Sequence, residues 1–207
     1  MIYKEERKSV AKIMRRLYKQ RLTTSSGGNV SMKNEDGYIF LTASQTDKSI
    51  IKWQEIIVFS PDDKNLTPEL KPSMEFAMHQ EIYKARPDVY AVVHAHPVYA
   101  STFAVTDVDP ISSMTGEARY VLGEIAMVDY KLMGTEDLAT TCAESLKIAD
   151  TAIMKNHGAI CTGKTLFQAF DRMEVLEFTC QMYFNTLILK SCKTLSDKEL
   201  KEIDGLK

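Results

Sequence analysis

Three of the four histidines in this chain have a spacing that could build a metal site. His94 and His96 follow the apolar run at residues 89–93, which predicts a buried β-strand. Residues two apart on a strand point to the same face, so we expect both imidazoles to project together. His157 precedes a glycine between two further strand candidates, where a side chain can face a cleft. Catalytic zinc takes three protein ligands and keeps one position open. The three histidines therefore predict such a site.

A carboxylate and a fourth histidine lie upstream of this pair. Glu75 falls in the first turns of a helix predicted over residues 73–86, and it completes a donor set of three nitrogens and one carboxylate. His79 is four residues further on the same helix face, so it could be a co-ligand. We expect instead that His79 packs beneath the site or hydrogen-bonds a backbone group. Two ligands from the helix, added to His157 and the two strand histidines, would overfill the coordination shell of the metal.

The elements that must position these residues alternate along the chain. An amphipathic helix is predicted over residues 3–21, and a long helix over residues 166–189. Thr135 is a predicted N-cap, and Ser196 with Glu199 predicts a capping box. Short strands are predicted at 30–32, 38–41, 56–60, 123–128, 152–155 and 159–162, and a short helix at 99–105. Many short strands among four or five helices indicate an α/β domain whose helices cover a central sheet.

Composition excludes several classes of protein. The 207 residues suffice for one well-cored domain, and we expect residues 1–207 to form a single one. A net charge of −2 gives no sign of a nucleic-acid surface, and no apolar run approaches the ~20 residues that span a bilayer. The charged N-terminus is unlike a signal peptide. Four cysteines without a C-x-x-C pair indicate reduced thiols and a cytoplasmic location.

Four short motifs occur in an order that resembles a known family. They are Gly27-Gly28-Asn29-Val30-Ser31, Pro72-Ser73-Met74-Glu75, Val92-Val93-His94-Ala95-His96 and Asn156-His157-Gly158. The combination resembles the class II (zinc-dependent) aldolase and adducin head family, and among its members most closely the L-fuculose-phosphate aldolases. The resemblance runs from the first helix to about residue 189. It implies a three-layer α/β/α domain with a central mixed, largely antiparallel sheet.

The resemblance also implies a reaction. Zinc, one ion per subunit, would be held by His94, His96 and His157, with other divalent metals also possible. Glu75 would close the shell at rest and then move off to act as the base. The substrate would be a small sugar phosphate, L-fuculose 1-phosphate or a similar deoxy-ketose 1-phosphate. Cleavage would give dihydroxyacetone phosphate and L-lactaldehyde through an enediolate whose charge the metal stabilises.

Further expectations concern the phosphate, the proton donor and the assembly. Residues 27–29 can present backbone N–H groups in a concave nest, or they can form only a tight turn. The resemblance implies a homotetramer with sites between subunits and a tyrosine from the neighbouring subunit as proton donor. Tyr120 and Tyr130 are the candidates near that position, although ordinary packing also explains them. The phosphate ligands implied by the resemblance are Ser26, Gly28, Asn29, Ser44 and Ser73.

Other functions remain open on the same scaffold. The enzyme alternatives are another sugar-phosphate aldolase, a pentulose-5-phosphate 4-epimerase and a methylthioribulose-1-phosphate dehydratase. Glu75 favours an aldolase over the epimerases, which resemble this chain but carry aspartate there. Met74 and Gln45 depart from the serine and glycine of the fuculose enzymes, which leaves the substrate open. A metal-free, adducin-like interaction module is the non-enzyme alternative, and the complete donor set disfavours it.

Overall fold

The computed structural model describes residues 3–206, which contain a sheet of seven strands in the order β3-β2-β1-β4-β7-β6-β5. Neighbouring strands are antiparallel except β5 and β6, which are parallel. The predicted mixed, largely antiparallel sheet is confirmed. The strands are β1 (Asn29–Lys33), β2 (Ile39–Thr42), β3 (Ile56–Phe59), β4 (Ala91–Ala95), β5 (Ile125–Val128), β6 (Thr151–Met154) and β7 (Gly158–Gly163).

Helices cover both faces of the sheet. They are α1 (Lys4–Lys19), α2 (Phe76–Ala85), α3 (Val98–Phe103), α4 (Gly116–Leu122), α5 (Glu136–Ser145), α6 (Leu166–Leu189) and α7 (Asp197–Asp204). Successive side chains of β4 join different cores: Val93 packs in the cluster that includes α1, α3, α4 and α6, and Val92 in the one with α2 and α5. This gives three layers, α/β/α, and explains why β4 is buried at every position.

Several helix predictions agree with the structure and others do not. The long helix has its predicted bounds, and the capping box at Ser196 is present. The described residues form seven α-helices instead of four or five. Helix α4 is the one without a predicted counterpart, because its seven residues are too few to show a helical period. Helix α2 begins at Phe76, not at residue 73, since the Ser73 hydroxyl accepts the Glu75 N–H and holds a turn there. Glu75 is therefore the residue that precedes α2.

The centre of the sheet positions the histidines. β4 lies between β1 and β7, so His94 is opposite Asn29 on one side and Ile160 on the other. His96 lies beyond the end of β4, and its backbone N–H donates to Leu22 O over 3.1 Å. The strand thus ends one residue before His96, while the two imidazoles project together as expected. Among residues 3–206, no helix is both long and apolar enough to cross a membrane.

Candidate metal centre

The side chains of three histidines and one glutamate converge at the end of β4. His94 Nε2 is 3.1 Å from His96 Nε2 and 3.3 Å from Glu75 Oε2. His157 Nε2 is 2.9 Å from Glu75 Oε1. One ligand atom from each of the three histidines lies within 4.8 Å of the others. These four side chains, separated by up to 82 positions in sequence, are brought together by the fold.

His157 reaches this point because of the tight connection between β6 and β7. The backbone N–H of His157 donates to Met154 O, and Asn156 adopts a positive φ of 56°. Gly158 then passes close to its neighbours: a Cβ there would lie 2.5 Å from His96 Cδ2 and 2.7 Å from Ala95 O. Only glycine fits this approach, so Gly158 allows β7 to lie against the histidine pair.

The second ring nitrogen of His94 fixes which atom faces the centre. His94 Nδ1–H donates to Ala159 O over 2.9 Å, which leaves Nε2 of the neutral ring with a free lone pair. A backbone partner of this kind is the usual support for a metal-binding histidine. Within the described residues, His157 Nδ1 is buried without a hydrogen-bond partner.

Burial and charge set the protonation of the centre. Burial lowers the pKa of His94, and it lowers that of His96 to about 4. Burial also acts to raise the pKa of Glu75, but attraction to His94 and hydrogen bonds from His157 and Asn29 outweigh it and hold this pKa well below its ordinary value. The favoured state has neutral His94 and His96 imidazoles beside an ionised Glu75 carboxylate.

This donor set fits a divalent cation. Neutral imidazole nitrogens and a carboxylate oxygen are the ligands that zinc and related metals take, and metal binding requires them deprotonated. Two imidazole nitrogens that face each other at 3.1 Å are an arrangement that a cation between them would stabilise. His94, His96 and His157 could therefore hold a metal ion, with Glu75 as a fourth ligand.

A chain of buried hydrogen bonds lies behind Glu75. Asn29 Nδ2 donates to Glu75 Oε2 over 2.6 Å, and Asn29 Oδ1 accepts from His79 Nε2 over 2.5 Å. Ser31 Oγ lies 2.6 Å from His79 Nδ1 and 2.7 Å from Tyr83 Oη. Burial lowers the pKa of His79 to about 3 and raises that of Tyr83, so the ring and the phenol are both neutral. Every proton in the chain then points towards Glu75.

His79 thus lies beneath the centre, as expected, and outside the group of converging histidines. Its hydrogen-bond partners are the side chains of Asn29 and Ser31, so the first of the two expected placements is the one observed, and no backbone hydrogen bond of the ring is found among the described residues. The reason is tertiary, because β1 places these two polar residues on the face that α2 covers.

A cavity of about 350 Å³ opens beside the centre. Glu75, His96 and His157 contribute to its wall. The same wall contains all five residues expected to bind phosphate, which are Ser26, Gly28, Asn29, Ser44 and Ser73. Asn29 donates both amide protons within the protein, to Ser73 Oγ and Glu75 Oε2. The structure therefore joins the candidate metal ligands and the hydroxyl-bearing loops in one concave site.

The two tyrosines that we considered as proton donors lie elsewhere. Tyr120 is on α4 and Tyr130 follows β5; both side chains are exposed, and neither lines this cavity. A larger, more open groove of about 860 Å³ lies at the other end of β4 beside Tyr90 and Phe167, and none of the described residues that line it is a histidine.

Lys48 is a wall residue that the sequence did not reveal. It is only 2% exposed, and its ammonium donates to Ala43 O over 2.6 Å and to Thr46 Oγ1 over 3.0 Å. Burial lowers its pKa to about 8, while the charge of Glu55 opposes the shift. Lys48 is one of many charged residues along the chain, and no local pattern marks it as buried.

The fold and this centre define a three-layer α/β protein with a histidine–carboxylate site beside a hydroxyl-lined cavity. Residues 8–184 match the model of the family described as Class II Aldolase and Adducin N-terminal domain. The chain belongs to this family, and the resemblance seen in its motifs is confirmed.

Relatives within the family carry several names. The chain is 35% identical to an L-fuculose phosphate aldolase of Methanocaldococcus jannaschii, over 89% of this chain and 99% of the relative. It is 26% identical to a 5-deoxy-D-ribulose 1-phosphate aldolase of Bacillus thuringiensis serovar kurstaki, over 98% and 95%. It is 25% identical to a 3-oxo-tetronate 4-phosphate decarboxylase of Haemophilus influenzae, over 97% and 96%.

A solved structure described as L-fuculose 1-phosphate aldolase superposes with a TM-score of 0.90 at 26% identity. The match covers 98% of this chain and 96% of that one. The α/β architecture is therefore that of the class II aldolases.

Proposed function

We propose that this chain is a metal-dependent aldolase that cleaves L-fuculose 1-phosphate, or a similar deoxy-ketose 1-phosphate, to dihydroxyacetone phosphate and L-lactaldehyde. Relatives named aldolase and decarboxylase are lyases, and the chain is an enzyme of this class. The observation that carries the proposal is the single concave site in which the ligand atoms of His94, His96, His157 and Glu75 adjoin the serine-lined loops.

The proposed metal site uses those three histidines, with Glu75 as the fourth ligand at rest. A bound divalent cation, which we propose to be one zinc per subunit, supplies Lewis-acid polarisation of substrate oxygens. The chain's own contribution to proton transfer falls to Glu75. Cleavage removes the proton of the C4 hydroxyl, breaks the C3–C4 bond and adds a proton at C3. Glu75, which is ionised at rest, would first take up a proton equivalent to the one lost from the C4 hydroxyl and would then deliver it to C3. In the synthetic direction it removes that proton.

Glu75 suits this role because its surroundings control it. The carboxylate is held ionised by hydrogen bonds from Asn29 and His157, and it is nearly buried. Leaving those partners would raise its pKa, since burial alone favours the neutral acid. A carboxylate that moves away from them becomes a stronger base.

The phosphate would bind among the serine-bearing loops that line the same cavity. The hydroxyls of Ser26, Ser44 and Ser73 are donors of the kind that phosphate oxygens accept, and Gly28 adds a backbone with positive φ of 68°. Asn29 belongs to this proposed set through its position, although its amide protons are used by Ser73 and Glu75.

The proposal includes a cytoplasmic homotetramer. Neither Tyr120 nor Tyr130 lines the cavity of its own chain, so a tyrosine donor to the aldehyde oxygen would come from a neighbouring subunit. Light scattering tests this part, and a monomer in solution would remove the cross-subunit donor.

The first experiment is an assay of dihydroxyacetone phosphate release from L-fuculose 1-phosphate by the zinc-loaded protein, with a chelated control. We expect release that the chelator abolishes. The same assay with 5-deoxy-D-ribulose 1-phosphate tests the second aldolase substrate suggested by a relative. No release from either sugar phosphate, despite bound zinc, would contradict the aldolase proposal and favour a decarboxylase or dehydratase on the same site.

A further inference from the structure

Lys48 occupies a position between the two loops that carry serine hydroxyls. Its backbone N–H donates to Ser25 O over 2.8 Å, next to Ser26. Its ammonium donates to Ala43 O over 2.6 Å, next to Ser44. One residue thus ties both loops together, and it lines the same cavity as Ser26 and Ser44.

The charge of Lys48 lacks a close counter-ion in the part of the chain described. No carboxylate among residues 3–206 forms an ion pair with it within 4.0 Å, and the side chain is 2% exposed. Glu55 contributes only a longer-range attraction. Burying an ammonium without a counter-ion is costly, and buried charges in proteins are normally paired. Two protons of the ammonium are donated, which leaves one for a further acceptor.

A structural role alone does not require this charge. A neutral donor would satisfy Ala43 O and Thr46 Oγ1 equally well and would avoid the cost of desolvating a cation. Among residues 3–206, Lys48 is also the only lysine or arginine in the lining of the cavity. An anion bound in the cavity would supply the counter-ion.

We infer that Lys48 is the cationic ligand of the substrate's phosphate group and thereby a specificity-determining residue of this site. The inference rests on the proposed function, since it takes the substrate to be a sugar phosphate. A dianionic phosphate bound by the serine hydroxyls would accept the remaining ammonium proton and neutralise the buried charge. Lys48 would then select phosphorylated over unphosphorylated sugars.

The test is the affinity for inorganic phosphate, measured by calorimetry. The measurement is made on the zinc-loaded protein and again after chelation, so that phosphate bound by the protein is distinguished from phosphate bound directly by zinc. Lys48→Gln keeps a donor for Ala43 O but removes the charge. We expect the dissociation constant of Lys48→Gln for phosphate to rise about tenfold to a hundredfold, because the variant loses a hydrogen bond between two charged groups. Lys12→Gln is the matched control, because Lys12 is exposed on α1 and outside the cavity.

The KM for L-fuculose 1-phosphate should rise by a similar factor with a smaller change in kcat, because the phosphate is remote from the reacting bond. Phosphate affinity of Lys48→Gln within twofold of the parent would overturn the inference. So would weaker binding of acetate with unchanged binding of phosphate, which would make a carboxylate the partner.

If Lys48→Gln does not fold, Lys48→Met gives the same comparison. The zinc content of each variant shows whether the neighbouring metal centre is intact. Phosphate binding does not depend on turnover. Loss of phosphate affinity in a protein that does not cleave L-fuculose 1-phosphate would sustain this inference while the proposed function failed.

Discussion

Asn29 donates a hydrogen bond from its side-chain amide to Glu75 Oε2 over 2.6 Å. The amide cannot rotate freely, because its oxygen accepts the Nε2–H of His79. His79 is held in turn by Ser31, whose hydroxyl contacts Tyr83. The orientation of the proposed base is therefore set by a buried chain that begins on α2 and passes through β1.

Removing the amide should weaken both stability and turnover. In Asn29→Ala, the Nε2–H of His79 loses its acceptor and Glu75 loses a donor, so we expect the free energy of unfolding to fall by about 1–3 kcal/mol. Turnover should fall at least tenfold because the carboxylate is no longer held. Urea unfolding and steady-state kinetics measure the two effects. Asn185→Ala on the exposed part of α6 is the control, and an equal loss in that variant would contradict the role of Asn29.

Metal content should separate the proposed ligands from His79. His157→Ala removes one of the three converging nitrogens, so it should retain much less than one zinc per chain. His79→Gln should still bind one zinc when the metal is saturating, because His79 contacts Asn29 and not the centre. Elemental analysis after dialysis measures the zinc content per chain of both variants. A His79→Gln protein without zinc would place His79 among the ligands.

Glu75→Gln should fold and retain zinc but lose turnover. The three histidines remain, while the amide cannot carry the proton to and from C3, so we expect kcat to fall about a hundredfold or more. The control is Glu81→Gln, on the exposed face of α2 beside Lys84. Full turnover by a zinc-loaded Glu75→Gln protein would show that another group is the base.

The absence of a side chain at Gly158 should be essential to the metal centre. A methyl group there would lie 2.5 Å from His96 Cδ2, so Gly158→Ala should displace the ring or β7. We expect a loss of about 1–3 kcal/mol in the free energy of unfolding, with weaker zinc binding. Gly116→Ala is the matched control, because its added Cβ would be 3.7 Å from Ile203 Cδ1, an ordinary contact. Equal stability of the two variants would argue against a tight approach at Gly158.

Lys48 should make stability depend on pH in the alkaline range. Burial lowers its pKa from 10.5 to about 8 in the folded chain. Between these values the unfolded chain holds a proton that the folded chain has released, so stability rises with pH. Below about pH 8, Lys48 is protonated in both the folded and the unfolded chain, so its contribution to stability no longer changes with pH. Urea unfolding of the parent and of Lys48→Met from pH 7 to 10 isolates this effect as the difference between the two. A difference that does not change with pH would mean that Lys48 has an ordinary pKa when folded.

The sequence predicted the parts of the fold that depend on local pattern. The long helix at residues 166–189 shows its apolar periodicity directly, and Ser196 with Glu199 is a local capping signal. The strands around His94 and His157 were also predicted within about one or two residues of their observed bounds, because buried strands are short apolar runs. The short helix α4 was missed, since its seven residues span barely two turns.

The sequence by itself also identified the histidines, the glutamate and the motifs that mark the family. Only the tertiary structure determined that His96 lies beyond its strand, that Asn29 serves Glu75, and that Lys48 is buried beside the serine loops. Side-chain type and spacing report which chemistry is available along the chain. Hydrogen-bond partners, desolvation and the distance between remote residues arise only when strands and loops far apart in sequence pack together.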